Sequence, residues 1–305
     1  MSLVVSPASP CPILCVGLAC LDIVNYCDYY PQEDSDVRAR DQKWCSGGNA
    51  LNTCKVLSLI GRHCELVTTL GEGMETDFIV SEMDRYGVPH SCCVPYPQCR
   101  LPTSYIVLNT TNGSRTIVHY RNLPELTCED FLKVDISPFS WIHFEGRCPD
   151  VYSKLVSRVQ EHNQTAENKI IISIEVEKTK IQFSVLIPLA DVLIVGKDVA
   201  QYLGYQTMEE AVVKLRETAK HSAIVVCPWG DKGAAASDKD GKVYQCPATP
   251  PARLVDTLGA GDTFNAGLIH SLSLEKGVEK SLQFACDLAG AKCGMAGFDG
   301  LKSFC

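Results

Sequence analysis

The stretch "LVDTLGAGDTFNAGLIHSL", Leu254 to Leu272, decides how this chain reads. Phe264, Leu268, Ile269 and Leu272 recur at helical spacing, which predicts a helix starting near Gly261. The first N–H groups of a helix have no internal partner and, with the helix dipole, form an anion site. Glycines at 259 and 261, with Ala260 between them, let a phosphoryl group come close to those donors. Asp262 then stands beside the anion. A carboxylate there can take a proton from a hydroxyl nucleophile while the N–H groups hold the charge developing on the transferred group. Aspartate is favoured in a first helical turn for its charge alone. Gly-x-Gly-Asp by itself is therefore a weak sign, and the full "DTLGAGDTFNAG" a much more specific one.

The second informative stretch is "CSGGNALNTCKVLSLIG", Cys45 to Gly61. Gly47 and Gly48 predict a tight turn. Asn49 and Asn52, three apart at the start of a helix, share a face. Two amides beside open backbone can bind several hydroxyls of a polyol, although an asparagine after a glycine turn is also an ordinary helix cap. Asp22, after the first strand, and Asp34, in an irregular segment, are candidates for the same task. "IVVCPWGDKGAAA" (224–236) runs a strand into Trp229 and Gly230-x-x-Gly233, where backbone can approach a nucleotide or simply turn between strands. Arg115 follows a predicted hairpin turn and can reach phosphates.

Around these motifs, short apolar runs alternate with helical patterns. Strands are predicted at Ile13–Leu18, Glu65–Leu70, Ser140–Phe144, Lys169–Ile174, Asp191–Val195 and Ser222–Cys227. Helices are predicted at Asn49–Ile60, Thr76–Tyr86, Asp150–His162 and Thr207–Lys220, the last opened by a Thr207/Glu210 capping box. Strands buried on both faces suit a parallel sheet covered by helices, so the expected fold is a doubly wound α/β domain. Residues 22–46 have no helical period, and 99–121 read as a hairpin around Asn112–Gly113. Together they predict a small β layer outside the main sheet.

Composition limits the function classes. Of 305 residues, 21% are charged and 46% apolar, an ordinary globular balance. A net charge of -8 argues against a nucleic-acid surface. The 17 cysteines form no Cys-x-x-Cys and the seven histidines no His-x-x-x-His, so neither a disulfide framework nor a transition-metal site is expected. The apolar start carries three prolines and no basic leader, so residues 1–10 read as a loose tail. No apolar run reaches the ~18 residues of a membrane span. The expected address is the cytoplasm.

"GGNALN" with Gly61, and "DTLGAGDTFNAGLI" near the C-terminus, resemble the two signatures of the ribokinase-like (PfkB) carbohydrate kinases, in the family's order and spacing. The likeness spans one domain, about 11–303, and includes "YPQEDSDVRARDQKWCSGGNALNTCKVLSLIG", "WIHFEGR", "EVEK" and "AGAKCGMAGFDG". It implies a three-layer αβα fold with a β lid from about 22–46 and 99–121. It implies ATP-dependent phosphorylation of a ketohexose, fructose to fructose 1-phosphate. Another sugar or nucleoside kinase of the family, or a non-catalytic sensor, is the alternative. By resemblance, Asp262 is the base and the N–H groups of Gly259, Ala260 and Gly261 form the anion hole. Asp22, Asp34, Gly48, Asn49 and Asn52 hold the sugar. Arg115, Trp229, Gly230, Asp231, Gly233 and Cys293 lie along the nucleotide. Mg²⁺ arrives with ATP, K⁺ is implied beside the anion hole with Asp256 as its ligand, and the lid joins a homodimer in which Asp34 reaches the partner's sugar. Gly196 and Val199 stand where many members carry an Asn-x-x-Glu that organises the metal, which leaves the magnesium ligands unassigned. Asp231 stands where a glutamate is expected.

Overall fold

The computed structural model describes residues 11–179 and 182–304; the tail expected over 1–10 lies outside them. The chain runs β1 (Ile13–Val16), β2 (Cys20–Cys27), β3 (Asp41–Gly47), α1 (Asn49–Leu59), β4 (Cys64–Val67), β5 (Thr69–Glu72) and α2 (Met74–Arg85). It continues through β6 (Val94–Arg100), β7 (Thr103–Asn109), β8 (Arg115–Tyr120), α3 (Cys128–Leu132), β9 (Trp141–Glu145), α4 (Pro149–Thr165), β10 (Ile171–Val176) and β11 (Val192–Val195). The last part holds α5 (Lys197–Tyr202), α6 (Met208–Arg216), β12 (Ile224–Pro228), β13 (Ala234–Ser237), β14 (Val243–Cys246), α7 (Ala260–Ser273) and α8 (Val278–Cys293).

Eight strands form one sheet in the order β14-β13-β12-β11-β10-β9-β1-β4. Six are parallel, and β13 and β14 add an antiparallel edge. Successive strand residues point to opposite faces, and both faces are covered. Ile13 and Cys15 pack into a core with α1, α2, α7 and α8, while Leu14 and Val16 pack into a second core with α4 and α6. That double burial explains the continuous apolar runs of the sequence. Among the described residues, no helix is long and apolar enough to cross a membrane.

The irregular segment and the hairpin form a separate four-stranded sheet, β3-β2-β7-β8. Two expectations need correction. "ELVTTL" is two strands: Val67 ends β4 in the main sheet, and Thr69 starts β5, which pairs with β6. Between them, Thr68 Oγ1 accepts the Ala19 N–H at 3.2 Å and ties the break to the end of β1. The capping box on α6 is half-made. Thr207 Oγ1 accepts the Glu210 N–H, but the Glu210 carboxylate turns to the N–H of Gln206.

Candidate active site

In a parallel sheet, the loops leaving the strand C-termini gather along one edge, where α/β proteins place their sites. Here that edge collects the ends of β1, β9, β10, β11 and β12, together with the first turns of α1 and α7. Gly48 opens α1. Its φ is 97°, and a Cβ there would lie 2.1 Å from the Leu18 carbonyl oxygen, so only glycine lets the helix start this close to β1. Asn49 is no cap. Its amide Nδ2 donates to Glu175 Oε1, near the end of β10, at 3.0 Å and to Glu177 Oε2, just beyond that strand, at 2.7 Å. One turn later, Asn52 Nδ2 donates to Asp262 Oδ2 at 2.7 Å, across 210 positions of sequence. The Oδ1 of Asn52 is buried without a partner among the described residues.

Asp262 sits in the first turn of α7, 7% exposed. Burial pushes its pKa well above the usual carboxylate range, and the Asn52 hydrogen bond works against that rise. Before it, Gly259 takes a left-handed φ of 77°, and the Phe298 ring packs where a side chain would go. One of the three N–H groups expected to form an anion hole is engaged elsewhere. The Ala260 N–H is spent on the Thr257 carbonyl at 3.2 Å. Among the described residues, no hydrogen bond engages the N–H of Gly259, Gly261 or Asp262. Those three are the free donors at the mouth of α7.

On the other side, Asp22 of β2 is buried. Desolvation raises its pKa, while Ser104, Cys20 and the Arg115 guanidinium oppose the rise. Arg115 itself is exposed on the small sheet and acts on Asp22 through its charge. Asp34 is exposed at a left-handed φ of 59°, and no described hydrogen bond or ion pair joins it to the residues above. Gly230, Asp231 and Gly233 form a tight turn between β12 and β13, with Asp231 exposed. The Cys293 carbonyl, at the end of α8, accepts the N–H groups of Val255 and Asp256 and so supports the loop leading to Gly259.

Two expected roles do not fit the geometry. Trp229 is 2% exposed, with its indole inside the core beneath the sheet, so it offers a nucleotide no ring face. Asp256 is not free to bind potassium. Its Oδ1 accepts the Leu258 N–H, and its Oδ2 lies 2.8 Å from the fully buried ammonium of Lys292, which also donates to the Asp256 carbonyl at 3.0 Å. An internal cation already neutralises that carboxylate.

The sequence reading assigned no role to the acids on β9 and β10. Glu145 is buried, and its Oε2 accepts the N–H of Leu18 at 2.8 Å and of Ala50 at 3.3 Å. Its Oε1 pairs with Arg147 at 2.9 Å and Lys178 at 3.5 Å. Burial alone would raise its pKa, but those two cations hold it below the ordinary value. Glu175 is buried without such support, and desolvation followed by the charges of Asp262, Glu177 and Glu145 pushes it well up. The signal for these residues was their place at the ends of adjacent parallel strands. Among the described residues, no three His, Cys, Asp or Glu side chains converge to hold a metal ion.

A helix mouth with unengaged N–H groups, a buried carboxyl beside them and a facing row of amides and acids are parts that a small-molecule phosphotransferase uses. Residues 12–300 match the pfkB family carbohydrate kinases, and the chain belongs to that family. It is 45% identical to mouse ketohexokinase, over 95% of this chain and 98% of that one. It is 24% identical to a Rhizobium leguminosarum fructokinase, covering 86% and 80% of the two chains. The fold superposes on Arabidopsis thaliana ribokinase complexed with ribose and ATP, with a TM-score of 0.80 at 20% identity, covering 96% and 97%.

Proposed function

We propose that the chain transfers the γ-phosphoryl group of ATP to the primary hydroxyl of a ketohexose, making D-fructose 1-phosphate from D-fructose. The observation that carries this reading is the hydrogen bond from Asn52 to Asp262. It joins a hydroxyl-binding helix start to a phosphate-binding one, in a chain that shares 45% of its residues with mouse ketohexokinase.

In this account Asn52 holds Asp262 by Oδ2 and leaves Oδ1 to take the proton of the attacking hydroxyl. The unpartnered Oδ1 of Asn52 accepts a second sugar hydroxyl, and Asp22 a third. The N–H groups of Gly259, Gly261 and Asp262 bind the phosphoryl oxygens as charge builds on them. Arg115, Gly230, Asp231, Gly233 and Cys293 flank the nucleotide. Phosphoryl transfer asks for positioning and charge stabilisation more than for covalent catalysis, and these residues supply both. A divalent ion, Mg²⁺, accompanies ATP. Magnesium usually keeps several waters and takes its ligands largely from phosphate, which suits a site where the described residues form no converging cluster of protein ligands. Every described cysteine is free, in keeping with a reducing cytoplasm.

The small sheet is proposed as a lid that joins two copies. Every residue of β8 is exposed, including Ile117 and Val118, and Tyr105 on the neighbouring β7 adds apolar surface beside it. An open, apolar edge strand is a surface that proteins normally cover. A second copy on that edge would cover it and bring the exposed Asp34 to its neighbour's sugar. Closing a lid excludes water, which would otherwise consume ATP.

The test is a coupled assay with purified protein, ATP, Mg²⁺ and a panel of fructose, ribose and adenosine. Fructose is expected to have the highest kcat/KM. Turnover of ribose or adenosine with fructose left untouched would place the chain elsewhere in its family.

A further inference from the structure

Behind Asp262 lies a buried hydrogen-bond chain that the reaction above leaves unused. Trp141 Nε1–H donates to Ser173 Oγ at 2.7 Å, and that oxygen lies 2.9 Å from His143 Nδ1. The other ring nitrogen, Nε2, lies 4.0 Å from Glu175 Oε2. Neither atom has a hydrogen-bond partner among the described residues, although both are buried. Buried polar atoms left unpaired cost roughly 1–3 kcal/mol each. These two face one another just beyond direct hydrogen-bond distance. The alignment follows from strand register: Ser173 pairs with His143 and Glu175 with Glu145, and alternate residues share a face.

The serine leaves two directions open. A hydroxyl donates once and accepts twice, and the indole always donates to it. Ser173 can give its proton to His143 Nδ1, which leaves Nε2–H pointing at an ionised Glu175. Alternatively it accepts from Nδ1–H, and the bare Nε2 accepts from a protonated Glu175. Burial keeps the imidazole neutral, pushing its pKa down to about 4, so its tautomer changes and its charge does not.

The surroundings choose between these states. Glu175 faces Asp262 on α7, Glu145 on β9 and Glu177 just beyond its own strand. The nearby cations, Arg147 and Lys178, both pair with Glu145. The Asn49 amide is divided between Glu175 and Glu177, whereas Asn52 Nδ2 serves Asp262 alone. Neighbouring buried carboxyls cannot all ionise cheaply, and among them Glu175 is the one with an oxygen, Oε2, that is buried without a partner among the described residues.

We propose that Glu175 is a positioning residue for proton transfer, carried as the neutral acid and donating toward His143 Nε2, so that Asp262 is the carboxylate left to act. This rests on Asp262 being the base. The step balances without another reactant. The hydroxyl proton passes to Asp262 as the sugar oxygen bonds to phosphorus and the bond from phosphorus to the ADP oxygen breaks. Glu175 keeps its proton throughout.

Nitrogen-15 NMR of the free protein at neutral pH reads the His143 tautomer. The expected form carries hydrogen on Nδ1, and hydrogen on Nε2 would overturn the assignment. The second measurement is the pH profile of kcat/KM for Glu175→Gln, which fixes the neutral state. Its acid limb, reporting Asp262, is expected to stay at the wild-type position, while the alkaline fall caused by ionisation of Glu175 disappears. An acid limb moved to lower pH would mean that Glu175 was ionised beside Asp262, and would overturn the assignment. Glu175→Leu, which cannot donate, is expected to lose about tenfold in kcat/KM, with Gln restoring most of it. The NMR measurement needs no substrate. The Nδ1–H tautomer in a protein that ignores fructose would defeat the fructose reading alone; fructose turnover with the Nε2–H tautomer would defeat the Glu175 assignment alone.

Discussion

Replacing Gly259 by alanine tests whether the helix mouth is built as described. A methyl group there would lie 2.5 Å from Phe298 Cζ and 2.9 Å from Cε1, on a residue held at φ 77°. The left-handed backbone costs alanine about 1–2 kcal/mol, and forcing a methyl into a packed site about 1–3 kcal/mol. The expected loss is therefore about 2–5 kcal/mol, a fall in Tm of roughly 3–8 °C for a chain of this size. The donors beside it would shift too, and loss of one such donor typically lowers kcat about 10²–10³-fold. Urea unfolding of Gly259→Ala, Phe298→Leu and the double variant separates the two costs. A smaller ring-site residue relieves the clash and leaves the φ penalty, so the double variant should be more stable than the sum of the singles, by about 1–2 kcal/mol. Wild-type stability and rate in Gly259→Ala, or strict additivity with Phe298→Leu, would refute this picture of the mouth.

Two further outcomes follow from the same geometry. Ile117→Lys on the exposed β8 edge should convert a dimer to a monomer in sedimentation equilibrium, with the far-ultraviolet circular dichroism spectrum retained; an unchanged dimer would remove the lid from the interface. Burial raises the folded-state pKa of Asp262, so the folded protein binds more protons than the unfolded chain in that range and this residue's contribution to stability falls as pH rises through it. Asp262→Asn should therefore raise Tm at neutral pH and leave it unchanged in acid, below the unfolded-state value, as read by scanning calorimetry across pH.

The fold was largely legible because a parallel sheet buried on both faces writes continuous apolar runs into the sequence, as at Ile13–Val16 and Val192–Val195. Periodicity failed where a tertiary contact cut a run. Thr68 divides "ELVTTL" by binding the Ala19 N–H, a partner 49 positions away that no local pattern announces. In the site, glycine and asparagine motifs marked both helix starts, but not their joining through Asn52 and Asp262. The misread residues were those whose partners come from distant chain. A lysine in a helix, Lys292, proves to be the counter-ion of Asp256, and a tryptophan beside a glycine turn proves to be core. Glu145 and Glu175 fall just past two predicted strand ends and carried no reading of their own; the sheet order sets them side by side.

The most direct test of the central claim is the rate of Asp262→Asn with fructose and saturating ATP. The amide keeps the size of the side chain and cannot take a proton. General base catalysis is typically worth 10²–10⁴-fold, so kcat is expected to fall by about that factor in a protein no less stable than the wild type. Near-native kcat in that variant would contradict the account, because the buried acid at the mouth of α7 would then not be the base.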